Sequence, residues 1–98
     1  MTEYIYDAIK VDKHSPSVIN AYITDFNDEL ITEDCYFTLY DKTGAMVILT
    51  KLGEYNQQSL SWEFLLTVEE QKDLFGRYLY TISHKGESLQ FKQPIYFN

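Results

Sequence analysis

Cysteine, proline, glycine and basic side chains are all scarce in this chain of 98 residues. The single cysteine, Cys35, excludes an intramolecular disulfide and any cysteine-based zinc cluster. Two Pro and four Gly leave no linker, no low-complexity tract and no Gly-rich phosphate loop. Eight Lys and Arg stand scattered against fifteen Asp and Glu, a net charge of −7. That balance favours solubility and disfavours gripping a phosphate backbone, so no nucleic-acid partner is expected. No apolar run approaches the roughly 18 to 20 residues of a membrane span, so no membrane partner is expected either. The longest run, around Ala45 to Leu49, is only strand-sized. Residues Met1 to Asp7 are acidic and lack the charged n-region and apolar h-region of a secretory signal. None of Asn20, Asn27 and Asn56 is followed two residues on by Ser or Thr, so there is no glycosylation acceptor. A chain made in a cytoplasm and used without signal-dependent secretion is the resulting expectation.

Aromatic residues are what the chain has in surplus: nine Tyr, six Phe and one Trp. Such rings fit the pleated, half-buried surface of a β-sheet. Hydrophobic residues make up 45% of the sequence and charged ones 23%, which suits a folded domain and not a polyelectrolyte tail.

Period-two alternation in short segments, separated by turn residues, predicts strands throughout. The expected strands are Tyr4 to Val11, Val18 to Asp25, Asp34 to Asp41, Ala45 to Lys51, Leu60 to Leu66, Arg77 to His84 and Ser88 to Phe97. Asp41-Lys42-Thr43-Gly44 joins the third and fourth as a hairpin. Gly53 to Gln58 reads as a polar connection. Leu60, Trp62, Phe64 and Leu66 share one face of the strand that follows. Thr67-Val68-Glu69-Glu70 has capping-box spacing, which predicts a short helix over about 67–75, stopped by Gly76. Pro94 marks an edge or a bulge in the last strand, because proline cannot donate to a ladder.

Seven strands with turns every 8 to 12 residues or so have the rhythm of a single antiparallel immunoglobulin-like β-sandwich, one domain over 1–98. An OB-fold of five strands and a helix also fits this length. Tyr78, two residues after Gly76 and behind the helical crossover, resembles the tyrosine corner of immunoglobulin-like domains. With no disulfide to help, the expected core is Phe37, Leu39, Trp62, Phe64, Tyr78 and Tyr80.

Catalytic and metal signatures fail on inspection. Ser83 and His84 are adjacent in a strand and point to opposite faces, so they cannot act as nucleophile and base. His14 falls in a turn, and Cys35 shares a face with Phe37 and Leu39 as an inert thiol. Asp25, Asn27 and Glu29 match the first ligands of an EF-hand loop, but Leu30 and Tyr36 occupy its diagnostic Gly and Glu positions. A looser cation site using Asp28, Glu33 or Asp34 stays open. Glu69 and Glu70 are explained by the helix cap and Glu63 lacks a catalytic partner. No enzyme activity and no cofactor are expected.

What remains is tyrosine on outward faces. If the third, sixth and seventh strands share a sheet, its outer face shows Tyr36, Thr38, Tyr40, Leu79 and Thr81, with Tyr22 and the weaker Tyr4 and Tyr6 on the opposite sheet. These residues form a candidate protein interface, since tyrosine joins an apolar body to a polar tip. Ordinary cross-strand Tyr–Thr pairing on a solvated sheet is the alternative.

The layout resembles the small β-sandwich domains of tailed-phage structural proteins, especially the N-terminal domain of baseplate upper proteins. The resemblance is carried by Ile23-Thr24-Asp25-Phe26, by Phe37-Thr38-Leu39-Tyr40-Asp41-Lys42-Thr43-Gly44, by Trp62-Glu63-Phe64, by Leu74-Phe75-Gly76-Arg77-Tyr78-Leu79-Tyr80 and by the Lys85-Gly86-Glu87 hairpin. It covers most of the chain. The family's coiled coil and C-terminal part have no counterpart in these residues. The resemblance implies a non-enzymatic tail or baseplate assembly protein, partnered by copies of itself or by other phage structural subunits. Two other classes are compatible with the composition. One is a small acidic inhibitor mimicking nucleic acid, which needs carboxylates gathered on one surface. The other is a carbohydrate-binding module, which needs an exposed aromatic platform, whereas alternation puts Trp62 inside.

Overall fold

The computed structural model describes residues 9–25, 27–88 and 91–98. Its strands are β1 (Ile9–Val11), β2 (Ser17–Ala21), β3 (Cys35–Tyr40), β4 (Val47–Leu52), β5 (Glu54–Asn56), β6 (Ser61–Leu66), β7 (Gly76–His84), β8 (Glu87–Ser88) and β9 (Gln93–Phe97), with one helix, α1 (Val68–Gln71), between β6 and β7. They form two sheets. One has the order β1-β9-β7-β3-β4, with β8 beside β7, and the other the order β2-β6-β5. β1 runs parallel to β9, and the remaining pairs are antiparallel. The protein is an all-β sandwich. Its division of strands follows the immunoglobulin-like Greek key, with the third, seventh and last strands together and the second, sixth and fifth facing them.

The core lies where the alternating inner faces of the two sheets meet. β3 contributes Cys35, Phe37 and Leu39, β6 contributes Trp62, Phe64 and Leu66, and β9 contributes Ile95 and Phe97, all buried. Phe37 meets Phe64 across the sandwich at 6.0 Å between ring centroids, and Tyr80 stacks on Phe37 at 5.3 Å. Tyr78 and Tyr80 are half-buried and pack against this cluster. A buried aromatic removes roughly 150 to 250 Å² from water, so a few rings provide most of the driving force that a disulfide-free domain of this size needs.

Local signals act where they were expected. Asp41 Oδ1 accepts from the Thr43 hydroxyl at 2.7 Å and from the Thr43 and Ala45 amides, while Gly44 takes φ +78°, closing the β3–β4 hairpin. Thr67 and Glu70 form both halves of the capping box that starts α1. The Tyr78 hydroxyl accepts the amide hydrogen of Phe75 at 3.4 Å, a tyrosine-corner contact at the start of β7. Lys85 and Gly86, both with positive φ, make the two-residue turn between β7 and β8.

Other expectations are corrected. The presumed connection after Gly53 contains β5, which pairs with β6. Leu60 is exposed and adopts φ +57° in the β5–β6 turn, which takes it off the face shared by Trp62, Phe64 and Leu66. The helix ends at Gln71, with Lys72 still right-handed, so Gly76 does not stop it; the positive φ of Gly76 instead turns the chain into β7. β2 ends at Ala21, and beyond it Thr24 forms an isolated bridge with Leu30, flanked by the Ile31 amide donating to the Ile23 carbonyl. The last strand is broken. Ser83 pairs with Ser88 and Tyr80 with Gln93, so β8 and β9 meet β7 in registers two residues apart. The expected strand residues Tyr4 to Ala8 lie outside the described residues.

Candidate protein-interaction surface

Pairing between β3 and β7 sets Tyr36 opposite Ser83, Thr38 opposite Thr81 and Tyr40 opposite Leu79, and pairing with β4 sets Tyr36 opposite Leu52 and Thr38 opposite Thr50. The sheet thus gathers Tyr36, Thr38, Tyr40, Leu79 and Thr81 on one outer face. Tyr22 does not join them; it is exposed on the chain leaving β2, in the other sheet. Tyr4 and Tyr6 lie outside the described residues.

Much of that face is covered by the chain itself. Lys92 extends its ammonium over the Tyr40 ring, 4.3 Å from the centroid, and donates to the Gly44 carbonyl. The Thr81 hydroxyl donates to Tyr40 Oη at 3.5 Å, and Thr81 is buried, not exposed as its alternation suggested. Its short side chain sits on a central strand, overshadowed by longer neighbours. Leu79 packs under the β3–β4 turn, where a Cβ on Gly44 would stand 3.1 Å from its Cδ1. Thr38, Tyr40 and Leu79 are half-buried, and Tyr36 retains the greatest exposure among the five.

The apolar exposure that sequence reading missed lies along β4, from the Tyr40 end of the pair to Leu52 opposite Tyr36. Val47, Ile48 and Leu52 of β4, and Met46 just before it, are exposed. Among the described residues no strand pairs with the far side of β4, so this is a sheet edge. Its ladder phase is fixed by the Gly53 amide, which donates to the Cys35 carbonyl at 2.9 Å. Alternation along an antiparallel pair then aims the backbone groups of Leu49 and Lys51 at β3 and those of Thr50 and Leu52 outward. A groove lined by Val18, Leu52, Leu65, Lys51, Glu54 and Glu63 continues the apolar surface from the edge onto the second sheet. The signal in the sequence was the uncharged run from Ala45 to Leu49, read there only as a strand. Its position at an edge depends on the order of strands in the sheet.

Carboxylates are dispersed and held locally. Hydrogen bonding from Thr43, helped by backbone amides of the turn, draws the Asp41 carboxyl below its usual range. Burial pushes Glu70 upward, but the Thr67 amide and the Lys51 ammonium at 2.9 Å prevail and leave its pKa lowered. Lys85 donates to Glu33 and lowers that carboxyl. Glu69 pairs with Lys72. Asp25 Oδ1 accepts from the Asn27 and Glu29 amides, so the acidic loop is organised by its own backbone. Among the described residues no three His, Cys, Asp or Glu side chains gather to hold a metal ion, and no helix is long and apolar enough to cross a membrane. His84 Nδ1 lies 3.1 Å from the Asp34 carbonyl, and the exposed His14 sits in a turn braced by Asp12. Trp62 is buried and donates its indole N–H to the Ile31 carbonyl at 2.7 Å, which leaves no ring face for stacking a sugar.

Comparison with protein-family models, with curated proteins and with solved structures finds no match for this chain.

Proposed function

We propose that this protein is a non-enzymatic assembly subunit that works through protein–protein contacts, as a phage or prophage tail or baseplate component in the virion or host cytoplasm. The observation that carries the assembly reading is the apolar sheet edge at β4, with Leu52 exposed beside Tyr36 and Val47, Ile48 and the preceding Met46 exposed at the Tyr40 end. An open edge is a template for another strand, and soluble proteins ordinarily blunt it with charge, proline or a covering element. On β4 the only charge is Lys51, already paired with Glu70, and there is no proline. The one blunting device is the bulge where Leu39 pairs with Leu49 and Tyr40 with Val47, which passes over Ile48. The phage assignment rests on the resemblance of the strand and turn motifs to baseplate-type domains.

The test is co-expression with the products of the genes flanking this one, followed by solution mass from light scattering. A complex of defined stoichiometry, with itself or with a flanking tail, capsid or portal product, is the expected result. A chain that stays monomeric alone and joins none of those products overturns the reading.

A further inference from the structure

We propose that copies of this chain stack head to tail, the outer face of β1-β9-β7 in one copy lying on the outer face of β2-β6-β5 in the next, so that Lys10 and Arg77 meet Glu54 and Glu63 of the next copy. This inference rests on the assembly reading above, and it names a second copy as the partner and two outer faces, other than the β4 edge, as the contact.

Most of the eight Lys and Arg side chains are already held within the molecule. Lys51, Lys72 and Lys85 pair with carboxylates, Lys13 lies over the Phe75 ring, and Lys92 is bound to the Tyr40 ring and the Gly44 carbonyl. Among the described residues Lys10, Lys42 and Arg77 have no such partner, and these three converge. Register sets Lys10 of β1 and Arg77 of β7, both exposed, on either side of Tyr96 of β9. Strand spacing places their Cα atoms about 10 Å apart. Lys42 reaches the same corner, its Nζ 3.7 Å from where a Cβ on Gly76 would stand. The strands β1, β9, β7, β3 and β4 contain no Asp or Glu at all. In a chain with fifteen carboxylates, this face is basic.

The other outer face is its complement. Glu54 of β5 stands directly opposite Glu63 of β6. Like charges so placed are destabilising unless a cation covers them. The Asn56 amide donates to Glu63 at 2.8 Å, and Lys51, which lines the same groove, is committed to Glu70. Beside the carboxylates, Val18 and Leu65 form an exposed apolar pair. The basic face offers Tyr96 and Pro94, half-buried, to meet it. The two faces lie on opposite sides of the sandwich, so they cannot satisfy each other within one copy.

Net charge opposes the contact, and screening decides the balance. The molecule is 24 Å across its thinnest dimension, so stacked centres stand about three screening lengths of ~8 Å apart at physiological salt, while the ion pairs are in contact. A contact between two different faces is heterologous, and it closes into a ring or continues as a filament. Nucleic acid fits the basic face less well, because Lys92 covers the Tyr40 ring on which a base would stack.

The experiment is sedimentation velocity of the full chain over a range of concentrations at physiological salt, with each variant checked for folding by circular dichroism. The wild type is expected to grow past the dimer as concentration rises. Arg77→Glu and Glu54→Lys change exposed positions, and each alone is expected to weaken association by about tenfold or more. Mixing the two restores association, because the intact Arg77 of one variant meets the intact Glu54 of the other. A wild type that is monomeric at every concentration, or that stops at a dimer, overturns the stacking. An Arg77→Glu variant that assembles as wild type does, or a mixture that stays apart, overturns it too. An oligothymidylate that binds wild type and not Arg77→Glu assigns the basic face to nucleic acid and overturns it as well. If the chain is monomeric yet joins a flanking gene product, stacking falls while the assembly reading stands.

Discussion

Gly53 lies directly against the ring of Phe64: a Cβ built on this glycine would stand 2.6 Å from Cε1, and 3.0 Å from Cε3 of Trp62. Gly53 is the single residue between β4 and β5, where the chain leaves one sheet for the other. The crossing therefore passes flat over the largest core rings. Gly53→Ala is expected to destabilise the fold by about 1 to 3 kcal/mol through overpacking, read as a lower urea midpoint. Gly86→Ala, at φ +79° with open space around it, should cost only the backbone penalty, about 1 kcal/mol.

The hydrogen bond from the Phe75 amide to the Tyr78 hydroxyl pins the corner between α1 and β7. Tyr78→Phe keeps the ring, which meets Phe97 edge-on at 5.6 Å, and deletes only the hydroxyl. A loss of about 1 kcal/mol in chemical denaturation is expected. Faster amide exchange at Phe75, with exchange unchanged at Phe37, would mark the effect as local.

Acid should loosen the helix cap. The folded-state pKa of Glu70 is depressed, so its contribution to stability is present above the ordinary glutamate value of about 4.3. It is lost as pH falls through the depressed folded value. Asp41 and Glu33 carry shifts of the same sign and act in the same direction. Glu70→Gln is expected to flatten the acid limb of the stability–pH curve and to cost about 1 kcal/mol near neutrality. An acid limb identical to wild type would show that the cap and the Lys51 bridge contribute nothing there.

Burial pushes the Cys35 thiol up to about 11. The folded value lies above the unfolded one, so this group's contribution is complete below the ordinary thiol pKa of about 8.5 and declines as pH rises toward the folded value. A disulfide-exchange reagent should label native protein at pH 8 no faster than the chain opens, and label urea-unfolded protein at once. Rapid native labelling would contradict the buried position of Cys35 between the sheets.

Sequence alone determined the features that depend on near neighbours. Alternation put Phe37, Leu39, Trp62 and Phe64 inside, because side chains on a strand alternate whatever that strand pairs with. The Asp41–Gly44 turn, the Thr67–Glu70 cap and the Tyr78 corner were legible because each is closed by bonds within a few residues. β5 was not legible, since three residues carry too little periodicity and owe their extended form to pairing with β6. Leu60 left its expected face through a backbone angle that composition does not reveal.

The candidate surface divides along the same line. Sequence grouped Tyr36, Thr38, Tyr40, Leu79 and Thr81, and register does place them together on one face. Only the tertiary structure decided which of them solvent reaches, because Lys92 and the Gly44 turn come from distant chain positions to cover Tyr40 and Leu79. It also decided that the apolar run ending in Leu49, unremarkable as a strand, stands at an edge of the sheet. A strand's own residues fix its pleat, but the order of strands is a property of the whole chain. The same apolar sequence would be core between two neighbours, and with one neighbour it is a surface that seeks a second.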